Sequence, residues 1–205
     1  RPSVIKTPRV VNIPVSIILG ILAGILAGFC VTFLFEKSFD SGRKIRNSTK
    51  SYLHVHLMTE SPSVWARDAI NAGADTVIVS TNTSGVKNAI KIIKDAGKRC
   101  GIALNPESKV EILIPILKQI DEVMVMAVKP GASGQEFDES IIQKIKVLNY
   151  TRKKHGLKYI ISVDGGINPD TAQKCWENGA DLLVSGSYLE HAPDFALAVQ
   201  KLLKK

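Results

Sequence analysis

The sequence predicts an α/β fold, a (β/α)8 TIM barrel with six clear βα units from Ser51 onward, whose first two strands either come from a hydrophobic N-terminal segment or are absent. Three observations carry this reading. From Ser51 onward, short apolar runs alternate with amphipathic ones, which is the pattern of repeated βα units on a parallel sheet. Ala72-Gly73-Ala74-Asp75 is echoed by Asn178-Gly179-Ala180-Asp181, each closing a helix with glycine and opening a strand. Tyr159 to Val163 leads through Asp164, Gly165 and Gly166 into Asn168-Pro169-Asp170. That is a buried strand ending in an acid, a glycine turn, and a helix start with proline near its first position.

In chain order, residues 1–12 read as a short basic tail. Residues 13–35 form a stretch of 23 residues without a charged side chain, and as a helix it would be about 35 Å long, enough to cross a bilayer core. Gly20, Gly24 and Gly28 recur every fourth residue, a spacing that gives a membrane helix a smooth pairing face. The heavier basic flank, Lys37 to Lys50, would leave the C-terminal part in the cytoplasm. The alternative reading makes Ser16–Leu19 and Phe29–Phe35 two buried strands around a stunted helix. Residues 36–50 read as a basic linker and 51–205 as the barrel domain. Strands are expected at Tyr52–Leu57, Thr76–Val79, Cys100–Leu104, Val123–Val128, Tyr159–Val163 and Asp181–Val184. Helices are expected near Ser63–Ala72, Ser84–Ala96, Lys109–Gln119, Glu139–Lys154, Asp170–Asn178 and Pro193–Leu203.

Composition narrows the function. The chain is 45% hydrophobic and 22% charged, which describes a globular protein with one core of fair size. A net charge of +8 would suit an anionic partner, but many of the lysines, among them Lys87, Lys91, Lys94 and Lys98, fall on the polar faces of expected helices. No basic-aromatic alternation suggests base stacking, so nucleic acid is not an expected partner. Cys30, Cys100 and Cys175 are far apart and form no CxxC, which implies free thiols in a reducing compartment. The expected location is the cytoplasm or, with residues 13–35 as an anchor, the cytoplasmic face of a membrane. The missing initiator methionine reads as a fragment or a processed chain.

Asp164, at a strand's carboxyl end beside a glycine turn, suits holding a phosphorylated substrate and moving its protons. Several motifs together resemble those of ribulose-phosphate 3-epimerases: His54-Val-His56-Leu-Met58, Gly101-Ile-Ala-Leu-Asn105-Pro106, Val123 through Met126 to Pro130-Gly131, Gly134-Gln135, Val163-Asp164-Gly-Gly-Ile-Asn168, and Val184-Ser-Gly186-Ser187. The resemblance covers Tyr52 to near the end. It implies a (β/α)8 barrel that interconverts D-ribulose 5-phosphate and D-xylulose 5-phosphate through an enediolate, by proton transfer at C3. It also implies a divalent metal (Zn, Fe, Mn or Co), with His56 and Asp164 as ligands and Asp164 as one of two proton carriers. Gly165, Gly166, Gly186 and Ser187 would cradle the phosphate. Met126 and the loop from Pro130 through Gly134 to Gln135 would close over the substrate.

Three positions depart from the family pattern. Ile13 to Phe35 contains no His, Asp or Glu, so the family's second-strand His-x-Asp pair has no counterpart there. The nearest carboxylates, Glu36 and Asp40, sit in no matching motif. His54 replaces a residue that is usually acidic, and Lys129 stands where the family has Asn. Two alternatives follow: a non-catalytic phosphosugar-binding protein tethered to a membrane, and a Schiff-base aldolase using Lys129. Open sheet edges would favour self-association into a homo-oligomer.

Overall fold

The computed structural model describes residues 17–22, 26–31, 43, 46–48, 50–129 and 135–203. Its strands form one eight-stranded sheet in chain order. They are β1 (Ile17–Leu22), β2 (Leu26–Val31), β3 (Leu53–Leu57), β4 (Thr76–Ser80), β5 (Arg99–Leu104), β6 (Glu122–Met126), β7 (Ile160–Asp164) and β8 (Leu182–Val184). From β2 to β8 every neighbouring pair is parallel. The helices are α1 (Pro62–Asn71), α2 (Val86–Asp95), α3 (Ile141–His155), α4 (Pro169–Asn178), α5 (Ser187–Glu190) and α6 (Phe195–Leu202). The α/β alternation expected from Ser51 onward is therefore present.

The hydrophobic N-terminal segment differs from the helix expected of it. Its described residues form β1 and β2, paired antiparallel with Ile17 opposite Val31 and Leu22 opposite Leu26. Chain length gives the reason for the antiparallel pairing. Only residues 23–25 separate these strands, whereas a parallel pair needs a crossover of about a dozen residues or more. Gly20 lies opposite Gly28, and each such glycine would cost a helix interior about 1 kcal/mol relative to alanine. Among the described residues no helix is long and apolar enough to cross a membrane. Residues 13–16, 23–25 and 32–35 of the segment, with the basic tail, Glu36 and Asp40, lie outside the described residues. At the far side, the Cα positions of β1 and β8 approach within 8 Å, although among the described residues no ladder joins them.

One expected helix is also replaced. Lys109–Gln119 gives a 3-10 helix over Val110–Leu113 followed by turns. Pro115 accounts for this through its missing amide, which cannot bond back to Glu111 as an α-helix requires; Ile114 before it keeps helical dihedrals.

The period of two along the strands separates two cores. Outward residues such as Val77, Val79, Ile102, Val123, Val125, Ile161 and Val163 pack under the helices in one large apolar cluster. Inward residues Ile78, Ala103, Met124, Met126 and Val184 make a small separate cluster inside the barrel. The inward positions His54 and His56 of β3, Glu122 of β6, and Ser162 and Asp164 of β7 carry polar groups, and these build the candidate site.

At the amino ends of the strands a single device repeats. Asp75, Asp121 and Asp181 each stand just before a strand and accept an amide at the start of the preceding one, from Leu53, Cys100 and Ile161, each at 2.8 Å. Each carboxylate also pairs with a base from the segment before that earlier strand. Arg46 reaches Asp75 at 3.0 Å, Lys94 reaches Asp121 at 2.9 Å, and Arg152 binds Asp181. The repeated Gly-Ala-Asp phrase thus marks a structural clasp, on the end of the barrel associated with stability.

Candidate active site

The site grows from residues two apart on three strands, which share the inward face because side chains alternate along a strand. β3 offers His54 and His56, β6 offers Glu122, Met124 and Met126, and β7 offers Ser162 and Asp164. His54, His56, Glu122 and Ser162 are all buried. His54 Nε2 donates to both oxygens of the Glu122 carboxylate at 2.9 Å. Ser162 Oγ donates to Glu122 Oε1 at 2.5 Å.

Asp164 is the last residue of β7, next to Met126 of β6 and Val184 of β8 in the ladder. Burial pushes its carboxyl up to about 6, against the pull of His54 and of a hydrogen bond from the Gly165 amide. His56 is affected in the opposite sense. Burial, helped by His54 and resisted by Glu122, lowers it to about 4. Its Nδ1 is buried with no hydrogen-bond partner. The imidazole is therefore neutral near pH 7, with a lone pair or a proton left unused.

The two turns expected to hold phosphate are neighbours, since Ser185 Oγ, just before Gly186, donates to Ile167 O at 2.9 Å. Gly165 and Gly166 have φ of 107° and 62°, values that favour glycine. Their missing side chains also make room for protein. A Cβ on Gly165 would stand 2.5 Å from Val128, and one on Gly166 would stand 2.8 Å from the Phe137 backbone. Of the helix-start amides, those of Asp170 and Thr171 are taken by Asn168 Oδ1 at 2.9 and 3.1 Å. The Thr171 hydroxyl completes this capping box. Gly186 and Ser187 begin the short helix α5 and are half-buried. In the loop after β5, Lys144 Nζ of α3 donates to the carbonyls of Asn105 at 3.0 Å, Ser108 at 2.6 Å and Pro106.

Comparison with known proteins places this architecture. The profile of the Ribulose-phosphate 3 epimerase family matches residues 39–190. The ribulose-phosphate 3-epimerase of Chlamydia pneumoniae is 37% identical over 162 residues, covering 78% of this chain and 71% of that protein. The Bacillus subtilis enzyme of that name is 35% identical over 160 residues, 77% of this chain and 74% of its own. This chain belongs to the ribulose-phosphate 3-epimerase family. Among solved structures, 3-hexulose-6-phosphate synthase from Salmonella typhimurium superposes with a TM-score of 0.68 at 21% identity, covering 84% of this chain and 83% of that one. That likeness concerns the fold.

Most of the residues that the resemblance pointed to are among those described. His56, Met126 and Asp164 all lie on the inward face, and Gly165, Gly166, Gly186 and Ser187 line two adjoining turns. Gly134 and the neighbouring loop residues 130–133 lie outside the described residues. Lys129 is exposed, without the apolar surroundings that activate a Schiff-base lysine. The unpartnered Nδ1 of His56 suits a ligand, but among the described residues no three His, Cys, Asp or Glu side chains converge. These donors alone do not make the divalent site expected of an epimerase of this family. The sequence reading missed Glu122 and Ser162. The available signal was a polar residue at an inward position, two before Met124 and two before Asp164.

Proposed function

We propose that this chain is a ketose-phosphate epimerase that interconverts D-ribulose 5-phosphate and D-xylulose 5-phosphate by proton transfer at C3. The observation that carries the reading is Asp164. It is an acid at a strand's carboxyl end, with its carboxyl pushed up to about 6, beside two adjoining turns. A C3 proton next to a carbonyl is weakly acidic, and a carboxyl titrating near the working pH serves as its base in one direction and its acid in the other. Buried surroundings strengthen the interactions that stabilise the enediolate charge. The amides and hydroxyl at Gly166, Gly186 and Ser187 are the phosphate's partners in this reading, with Gly165 turning the chain and bonding Asp164. Met126 packs beside the acid and shapes the apolar wall. In this reading no described residue is assigned as the second proton carrier, on the opposite face of the sugar, and residues 130–134 lie outside the described residues.

The test is conversion set against binding. Wild-type protein with each divalent metal in turn should equilibrate the two pentulose phosphates, followed by NMR, and calorimetry should detect ketose-phosphate binding. Asp164→Asn should bind but not convert. Binding without conversion by the wild type would favour the phosphosugar-binding alternative. No binding at all would remove both readings.

A further inference from the structure

We propose that Glu122 is a positioning residue: its carboxylate ties β3 to β7 across the barrel interior and so fixes the separation and aim of His56 and Asp164. β7 is laddered to β6, which carries Glu122, but β4 and β5 separate β3 from β6, so no ladder hydrogen bond directly joins β3 to the strands of Glu122 and Asp164. Glu122 does. It takes His54 Nε2 on both oxygens at 2.9 Å and Ser162 Oγ on Oε1 at 2.5 Å. His54 stands two residues before His56, and Ser162 stands two before Asp164. The tie therefore lies one side-chain layer, about 7 Å along the strands, below the two groups it aligns.

Two further features indicate that this arrangement is built for the carboxylate. Gly101 faces it, and a Cβ there would stand 2.6 Å from Ile78 Cγ1 and 3.3 Å from Glu122 Cβ, so the glycine leaves the space that both side chains fill. Glu122 is 1% exposed and Ser162 is fully buried. An apolar set of the same volume would often be as stable or more so than a buried ionic network, so packing alone does not account for these residues. Holding non-adjacent strands in one relation is something apolar contacts do less specifically.

The kinetic part of the test rests on the epimerase reading; the spectroscopic part does not. In nitrogen-15-labelled protein, the His54 Nε2 proton held by the carboxylate should give a downfield, slowly exchanging resonance. Glu122→Ala should abolish it and shift the ring resonances of His56. Glu122→Gln, whose amide can serve both partners, should keep His56 near its wild-type position. In turnover, Glu122→Ala should lower kcat roughly 100-fold with KM within about twofold, and Glu122→Gln should restore most of the loss. Ser162→Ala removes one arm only. It keeps the test open if Glu122→Ala does not fold, and should lower kcat by about tenfold while shifting His56. A folded Glu122→Ala or Ser162→Ala with wild-type kcat overturns the proposal. If the wild type itself does not turn over, the epimerase reading fails. The tie is then decided by His56 alone, and unshifted ring resonances in either folded variant overturn it.

Discussion

At the amino ends of the strands, Asp75, Asp121 and Asp181 each answer a strand amide and a basic side chain. On the inward face toward the carboxyl ends, the polar groups are left short. His56 Nδ1 has no partner, and Asp164 is desolvated enough to titrate near 6. The first set lowers the energy of the fold, because a satisfied amide avoids a desolvation penalty. The second keeps such a penalty in place, and groups held that way are the ones with reactivity to offer. The same alternating strands thus carry satisfied polar groups at one end and, in the proposed site, unsatisfied ones at the other.

Removing a clasp should break the first half of this contrast and leave the second untouched. Asp181→Ala takes the acceptor from the buried Ile161 amide and a partner from Arg152. Urea unfolding should show a loss of about 2–3 kcal/mol, with no change in KM for the ketose phosphate. Arg152 keeps the carbonyls of Tyr159 and Gly179, which limits the loss.

Neutralising the reactive end should have the opposite sign. Asp164 is raised from 3.8 to about 6, so its contribution to stability is full below pH 3.8 and is lost as pH rises through 6. Asp164→Asn should therefore be more stable than wild type at pH 7, by roughly 1–3 kcal/mol, and the gap should close below pH 4. His56 is lowered from 6.5 to about 4; its contribution is present above pH 6.5 and is lost as pH falls through 4. The two trends oppose each other over nearly the same window. Asp164→Asn should thus unmask a stability loss toward acid that the wild type conceals, measurable by thermal melts from pH 4 to 7.

The smallest effect belongs to a position at neither end of this contrast. Gly156 closes α3 with φ of 62°, and a Cβ there meets nothing within 4 Å. Gly156→Ala should cost only about 1 kcal/mol, from backbone strain. Gly166→Ala should cost more, because the Phe137 backbone stands in the way.

Much of the barrel was legible because periodicity is local. The alternation of runs placed β4 within a residue of its observed bounds, Thr76–Ser80, and Asn168-Pro169 marked the start of α4. The hairpin was not legible in this way. An uncharged apolar run reads equally as one long helix or as two buried strands, and the three residues between β1 and β2 fix only that the strands pair antiparallel. Pro115 is a breaker that is readable within Lys109–Gln119. The tie at Glu122 was hidden for another reason. His54 is 68 residues from Glu122 and Ser162 is 40, so only the closure of the sheet reveals that they meet. Asp164 was found because its signal, a strand end followed by two glycines, is contiguous.

The most direct test is deuterium incorporation at C3 of ribulose 5-phosphate in heavy water, with wild type and Asp164→Asn compared under identical metal and buffer conditions. The account predicts exchange by the wild type and a rate about 100- to 10,000-fold lower in Asp164→Asn, with the variant still folded and still binding the sugar phosphate. A folded Asp164→Asn that exchanges C3 at the wild-type rate would contradict it.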